Sequence, residues 1–201
     1  MLTMLKGAML ELELGDPLEF ATDIGPVIDE AAETTLNAHK ARMRREAKEL
    51  LDLPIPSSCR QGTFVSPAVY EIDGIHRLER EVFGPILHVV RYQRDRLDQV
   101  VQAVNNTGYG LTLGIHSRIE ATIRKIIAQA RVGNIYVNRN QIGAVVGVQP
   151  FGGEGLSGTG PKAGGPHYLP RFAVERVVTT DVTATGGNAQ LLAQAAEGGE
   201  G

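Results

Sequence analysis

The part of this chain that could do chemistry is a glycine-rich stretch after a short apolar run. Ile135, Tyr136 and Val137 predict a buried strand, and glycines then recur from Gly143 to Gly165 with little apolar periodicity between them. Glycine lacks Cβ and admits positive φ, so its backbone N–H groups can approach a bound group closely. A long ordered loop in a compact domain is more often a binding loop than a spacer. We therefore expect a ligand-facing loop here, with a flexible connector as the alternative.

Two nucleotide-binding motifs fit this stretch poorly. Gly153, Gly155 and Gly158 have the GxGxxG spacing of dinucleotide-binding turns, but prolines on both sides prevent a helix from opening cleanly after them. Lys162 is not followed by Ser or Thr, as a phosphate-binding P-loop requires. The spacing alone does not predict a dinucleotide fold in this chain.

Other reactive side chains are isolated. Cys59 is the single cysteine; it lies in a Pro/Ser-rich loop beside Arg60 with no adjacent histidine, so we expect neither a disulfide nor a catalytic thiol. Glu79 and Glu81 flank Arg80, which leaves a carboxylate pair for acid–base chemistry open. The histidines lack metal-ligand spacing and are expected to be structural or exposed: His39, His76, His88, His116 and His167. No metal site is expected.

Composition narrows the class of protein. Twenty basic and 23 acidic residues give a net charge of −3, which argues against a nucleic-acid partner. The most basic run, residues 40–49, alternates in sign like a solvated helix face. No apolar run approaches the ~20 residues of a membrane span, and Glu11 and Glu13 exclude a signal peptide at the N-terminus. We expect a cytoplasmic protein.

Apolar periodicity predicts the elements that position these residues. An amphipathic helix ends before Gly15, and Pro26 leads into a second helix from about Asp29 to Asp52. The inward face of the second helix is expected to comprise Ile28, Ala32, Leu36, Met43, Ala47, Leu50 and Leu51. Strands are predicted over 62–65 and 68–72, broken by Pro67.

The second half of the chain alternates strands and helices. Strands over 86–92, 111–116 and 135–137 are separated by helices over 94–106 and from Ser117 to about Arg131, the latter opened by a Ser117/Glu120 capping box. This order predicts an α/β fold: a mostly parallel open sheet with flanking helices. A further strand is expected over 172–180, and a disordered tail over 187–201.

Several of these stretches together resemble the aldehyde dehydrogenase superfamily, in order and spacing, from about residue 5 to residue 185. They are Gly15-Asp16-Pro17, Thr22-Asp23-Ile24-Gly25-Pro26, Glu81-Val82-Phe83-Gly84-Pro85, Asn105-Asn106-Thr107-Gly108-Tyr109-Gly110-Leu111, Gly133-Asn134-Ile135-Tyr136-Val137-Asn138, and Pro150-Phe151-Gly152-Gly153 with Ser157-Gly158. The residue-by-residue sequence from Asn138 to Pro161 is similar to that of L-glutamate γ-semialdehyde dehydrogenases, above all to the C-terminal part of bifunctional proline-utilisation proteins.

The resemblance implies a fold and an activity. Residues 1–170 would be the C-terminal portion of an incomplete aldehyde dehydrogenase catalytic domain. Residues 171–186 would form the strand and flap through which family members oligomerise. The reaction would be NAD-dependent oxidation of L-glutamate γ-semialdehyde to L-glutamate through a cysteine thioester. FAD is implied only if a proline dehydrogenase domain precedes this part.

The resemblance also implies residue roles. Glu81 would accept hydrogen bonds from the nicotinamide ribose hydroxyls, and Phe83 would pack near the nicotinamide. Gly143 and Ala144 would offer backbone N–H groups to the substrate carboxylate. Phe151 would form an apolar wall around the substrate methylenes.

The chain departs from the family pattern in what it lacks. The nucleophilic cysteine, the general-base glutamate and the dinucleotide-binding domain lie upstream of these residues in the family, and Cys59 is not at the nucleophile's position. We therefore expect no catalytic residue within the 201 residues and no activity from them alone. The alternatives are an inactive remnant that acts as an oligomerisation or binding module, and an aldehyde dehydrogenase of different substrate specificity.

Overall fold

The computed structural model describes residues 1–181, 188, 190 and 193. The chain divides into two compact units, Met1–Gly143 with Gly152–Gly160, and Ala144–Phe151 with Pro161–Gly201. The first unit mixes helices and strands, as the α/β prediction requires. No helix in the described part of the chain has the length and apolarity needed to cross a membrane.

The helices of the first unit surround short sheets. Their bounds are α1 (Leu2–Leu10), α2 (Glu30–Glu46), α3 (Leu97–Asn106) and α4 (Glu120–Gln129). The α2 helix begins where the Asp29 carboxylate accepts a hydrogen bond from the Ala32 N–H at 2.7 Å. Glu30 and Glu33 in its first turn and Arg44 and Arg45 in its last complement the helix dipole.

The helix predicted to reach Asp52 is shorter than expected. It ends at Glu46, and Lys48–Asp52 forms strand β1, which pairs antiparallel with β2 (Ala68–Ile72). The leucines of 48–52 satisfy a strand pattern as well as a helical one, and pairing with a buried neighbour decides between them. Ile28, expected on the buried face, is 92% exposed because it precedes the N-cap.

The first sheet has the order β1–β2–β3, with β3 (Ile86–Val90) parallel to β2. The middle strand β2 is almost wholly buried, and Pro67 lies just before it. Its residues form a core cluster with helix α2: Met43, Ala68, Tyr70 and Ile72. The segment 62–65, predicted as a strand, is irregular.

A βαβ unit forms as predicted in the second half. Strand β5 (Thr112–Ile115) runs parallel to β6 (Asn134–Val137), and α4 connects them. Two-residue strands β4 (Tyr109–Gly110) and β7 (Glu154–Gly155) pair antiparallel beside it. The sheet strands are thus divided among three small sheets, in two of which parallel pairs occur.

Two local predictions are wrong. The Ser117 hydroxyl accepts from the Ile119 N–H at 3.1 Å and does not cap α4, so no capping box forms. Residues 173–181 form no strand; a 3₁₀ turn over Leu169–Phe172 precedes them. A strand requires a hydrogen-bonded neighbour, and the described residues supply none there. Residues 182–186 of the expected flap, and the expected tail apart from residues 188, 190 and 193, lie outside the described residues.

Candidate functional site

The turn that carries Glu81 and Phe83, residues 79–85, is anchored at both ends. Leu78 before it and Ile86 after it pack on the same cluster of α2 and β2 side chains. The Pro85 carbonyl accepts a hydrogen bond from the Ala68 N–H at 3.1 Å, which ties the exit of the turn to β2. We name residues 79–85 the Glu81 turn.

The Glu81 turn rests on helix α2 at a glycine. A Cβ at Gly84 would overlap the Leu36 side chain, which is buried in α2, so this position has no room for a side chain. The close approach directs the preceding residues outward: Glu81 is exposed and Phe83 is 90% exposed. Glu81 makes no hydrogen bond or ion pair with the residues that the structure describes. A free carboxylate and an uncovered aromatic ring two residues apart can bind hydroxyl groups and a flat apolar ring.

A cavity of about 350 Å³ opens beside this turn. The residues that line it include Arg80, Glu81 and Val82 of the turn, together with His88, Ser157 and the β4–β5 segment. Its volume falls within the range of small-molecule sites, about 300–1,000 Å³. The first unit therefore offers a carboxylate-edged cavity large enough for part of a nucleotide.

Gly143 lies on the loop that leaves the carboxyl end of β6. Ligands in open α/β sheets bind outside the carboxyl ends of the strands. Asn138 directs the loop there: it has a positive φ of 54°, and its amide makes two 3.0 Å hydrogen bonds with the backbone of Ser117. The space around a Cβ at Gly143 is open, so a ligand could approach its backbone.

Sequence reasoning missed two side chains beside Gly143. The buried Tyr136 donates its hydroxyl to the Gly143 carbonyl at 3.1 Å, which ties the loop to β6. The Arg139 guanidinium lies 5.1 Å from the centre of the Tyr136 ring, in cation–π geometry. A tyrosine followed three positions later by arginine at a strand end was the available signal. Arg139 adds positive charge at the base of the loop.

Ala144 and Phe151 belong to the second unit. Phe151 exchanges two backbone hydrogen bonds with Ala163, at 3.0 and 2.9 Å, and is half-buried. Between Ala144 and Phe151 the chain turns back, with the Gln149 N–H donating to the Val145 carbonyl at 2.7 Å. That Ala144 and Phe151 share one site with Gly143, Glu81 and Phe83 stays a prediction.

Some glycines in the glycine-rich stretch allow two backbone segments to pack closely and leave no space for a ligand. A Cβ at Gly133 would overlap the carbonyl oxygen of Gly152, so two backbone segments of the first unit meet there. Gly153 and Gly158 are bridged in a tight loop that opens no helix, in agreement with rejection of the dinucleotide fingerprint. A Cβ at Gly143, Gly147 or Gly160 would meet nothing within 4 Å, so at these positions of the stretch the backbone is open to a ligand.

Cys59 is a core residue. It is 3% exposed, packs with Leu14, Leu53 and Phe64, and its Sγ donates to the Leu14 carbonyl at 3.5 Å. A thiol enclosed in this way cannot reach a substrate, so the structure supports the view that it is not the nucleophile.

The isolated histidines of the sequence include one pair. His39 of α2 and His88 of β3 approach with Nε2 atoms 2.9 Å apart. Burial and then the charge of His39 lower the pKa of His88 to about 4, and burial with Arg42 lowers that of His39. Their separation of 49 residues gave no signal of the contact.

Known proteins are similar to this chain over most of its length. Residues 1–178 match the profile of the aldehyde dehydrogenase family. The bifunctional protein PutA of Klebsiella aerogenes is 54% identical over 180 residues, which is 87% of this chain and 14% of that protein. The chain therefore spans about a seventh of the length of this relative.

Solved structures of related proteins also superpose on this chain. A crystal structure of Bradyrhizobium japonicum proline utilization A superposes with a TM-score of 0.86 and 57% identity, over 91% of this chain and 18% of that one. The 1-pyrroline-5-carboxylate dehydrogenase from Thermus with bound NAD gives 0.76 and 33%, over 85% of this chain and 33% of that one. With the motifs and the fold, these matches show that the chain belongs to the aldehyde dehydrogenase family.

Proposed function

We propose that this chain is part of an enzyme that oxidises L-glutamate γ-semialdehyde to L-glutamate with NAD in proline catabolism. The observation that carries the proposal is the 54% identity to a PutA over 180 residues. One of the similar structures is that of a 1-pyrroline-5-carboxylate dehydrogenase with bound NAD, which supports the choice of cofactor. 1-Pyrroline-5-carboxylate is the cyclic imine that L-glutamate γ-semialdehyde forms when it loses water.

In this proposal the Glu81 turn contributes to the cofactor site. NAD supplies the acceptor for the hydride that leaves the aldehyde carbon. The Glu81 carboxylate accepts hydrogen bonds from the two ribose hydroxyls, a task for which an acceptor-only group is suited. Phe83, exposed two residues further along the turn, covers the nicotinamide end. The anchoring of the turn to β2 and α2 keeps both side chains in place before the cofactor arrives.

The loop after β6 contributes to the substrate site. The backbone N–H groups of Gly143 and Ala144 donate to the substrate α-carboxylate, and Phe151 contacts the methylenes. The cysteine that attacks the aldehyde is supplied by another part of the enzyme, because Cys59 is enclosed in the core. We also propose that residues 171–186 contribute to a homo-oligomer and that the enzyme is cytoplasmic.

The cofactor role is tested in the complete enzyme by Glu81→Gln. The amide keeps the size of the side chain but loses the charge and half of its acceptor capacity, so we expect KM for NAD to rise about tenfold, as for one or two weakened charged hydrogen bonds. Glu79→Gln is the matched control, since Glu79 is an exposed carboxylate on the same turn. Equal KM values for NAD in both variants would refute the role of Glu81.

The substrate class is tested with paired aldehydes. We expect kcat/KM to fall by two orders of magnitude or more, about 3 kcal/mol, when the α-carboxylate is absent, because buried donors would be left unpaired. Similar rates with both aldehydes would favour an aldehyde dehydrogenase of other specificity. No NADH formation by the complete enzyme with either aldehyde would favour a non-catalytic binding module.

A further inference from the structure

One face of helix α2 supports the whole segment that contains the Glu81 turn. Leu36 lies against Gly84, His39 bonds to His88, and Arg42 donates to the carbonyl of Arg77 at 3.1 Å. These α2 residues are spaced by three and therefore share a face. The turn is held to this face near its end, at Gly84, and the chain is held to it on both sides of the turn.

Besides the packing of Ile86, the contact on the β3 side is a hydrogen bond between two imidazoles. The Nε2 atoms are 2.9 Å apart, the rings meet edge to face with centroids 5.1 Å apart, and His39 is 7% exposed. One Nε2 must carry a hydrogen and the other a lone pair, so the two rings are opposite tautomers. The bond needs at least one neutral ring.

The positive charges around the two histidines disfavour their protonation. Arg42 on α2 and Arg80 on the turn face His39 with positive charge, and Glu46 on α2 opposes them with a carboxylate. Arg42 also acts on His88 of β3. A first proton, on the far nitrogen of the donor ring, leaves the hydrogen bond intact. A second proton occupies the acceptor lone pair and breaks it.

We propose that His39 is a positioning residue for the Glu81 turn: through its hydrogen bond to His88 it helps to hold the end of the turn that leads into β3 against α2, and double protonation of the pair loosens this end. The proposal rests on the proposed function only in naming the ligand of the turn as NAD. The contacts themselves do not depend on that assignment.

The test uses the full 201-residue chain without NAD. The chain contains no tryptophan, so Phe83→Trp places one fluorophore on the exposed centre of the turn. Fluorescence anisotropy, measured at submicromolar protein, reports how firmly the turn is held. In the otherwise unchanged chain we expect the anisotropy to be high at neutral pH and to fall between the usual imidazole pKa of about 6.5 and about 4.

The proposal predicts opposite effects on the anisotropy for two substitutions of His39. His39→Phe fills the space but cannot bond to His88, so the anisotropy should already be low at neutral pH. His39→Gln can donate to neutral His88 and accept from protonated His88, so the anisotropy should stay high at both pH values. His116→Gln, at an exposed histidine, should behave like the parent.

The anisotropies of these variants distinguish a role of His39 in positioning the turn from a general loss of stability of the chain. Far-UV circular dichroism on the same samples checks that helix content is retained. Normal anisotropy of His39→Phe at neutral pH, or an acid decrease in His39→Gln equal to that of the parent, would overturn the proposal. Because no cofactor is present, either result would leave the proposed function to its own test at Glu81.

Discussion

Three of the five residues proposed to touch ligands, Glu81, Phe83 and Gly143, are exposed. Phe83 is 90% exposed although it is a large aromatic, and the space beside Gly143 is open. Cys59 is the opposite case, a reactive type enclosed by apolar neighbours. The glycines after Tyr136 predict a ligand-facing loop by residue type alone, whereas the particular roles of Glu81 and Gly143 come from family resemblance.

Gly143→Ala tests ligand approach without disturbing the fold. No atom lies within 4 Å of the added methyl, so the free energy of unfolding should change by no more than about 0.5 kcal/mol. In the complete enzyme the methyl would obstruct the carboxylate, so we expect KM for the aldehyde to rise about tenfold or more. Gly133→Ala is the contrasting variant: it should prevent folding, because its methyl meets the Gly152 carbonyl. Unchanged KM in Gly143→Ala would contradict the substrate role.

Cys59 should react as a buried thiol. A thiol reagent should modify it slowly in the native chain and rapidly in urea, because its Sγ is enclosed. Cys59→Ala should lower the free energy of unfolding by about 1 kcal/mol through the small cavity left behind, and should leave the activity of the complete enzyme intact. Fast labelling under native conditions would show that the core around Leu14 opens.

Among the elements, those with strong local periodicity were the predictable ones. Helix α3 and the β5–α4–β6 unit match the prediction within a few residues, because Val100, Val101 and Val104 and the short β-branched strands repeat at clear periods. The pattern could not separate α2 from β1, since Leu50 and Leu51 suit both, and antiparallel pairing with β2 decides. Long-range contacts such as His39–His88 leave no local trace.

The same long-range contact predicts how stability depends on pH. Both histidines have lowered pKa values in the folded chain, so the unfolded chain binds more protons between pH about 6.5 and about 4. The free energy of unfolding is therefore fully maintained above about 6.5 and falls through this window. For half-buried His88 we expect a loss of about 1–2 kcal/mol after allowing for solvent screening.

Urea titrations across this pH range measure that loss. His88→Phe should show a flatter dependence than the parent, and His116→Gln should show the parent's. The carboxylates with lowered pKa values, Glu71, Asp98 and Asp73 at about 2, contribute mainly at the acidic end of this range and below it. Equal slopes in His88→Phe and the parent would exclude the pair as the cause.

At the scale of the molecule, the first unit has strands with unfilled edges. Among the described residues β3 pairs only with β2 and β5 only with β6. Both strands are mostly apolar, which is typical of parallel strands covered on both sides. Leu87, Val90 and Tyr92 are nevertheless exposed. Unpaired edges and exposed apolar residues favour association with other chains.

We therefore expect the isolated 201-residue chain to self-associate as its concentration rises, and to form no NADH. Sedimentation velocity and light scattering over a dilution series measure the association. A monomer at all concentrations with a sharp, reversible thermal transition would contradict the first expectation, and NADH from the isolated chain would contradict the second.

The enclosure of Cys59 has a practical consequence for spectroscopy. Since the sulfur of the sole native cysteine lies in the interior, a cysteine introduced at position 83 or 143 would be the accessible one. Spin labels or fluorophores could then be attached at either position without first replacing Cys59.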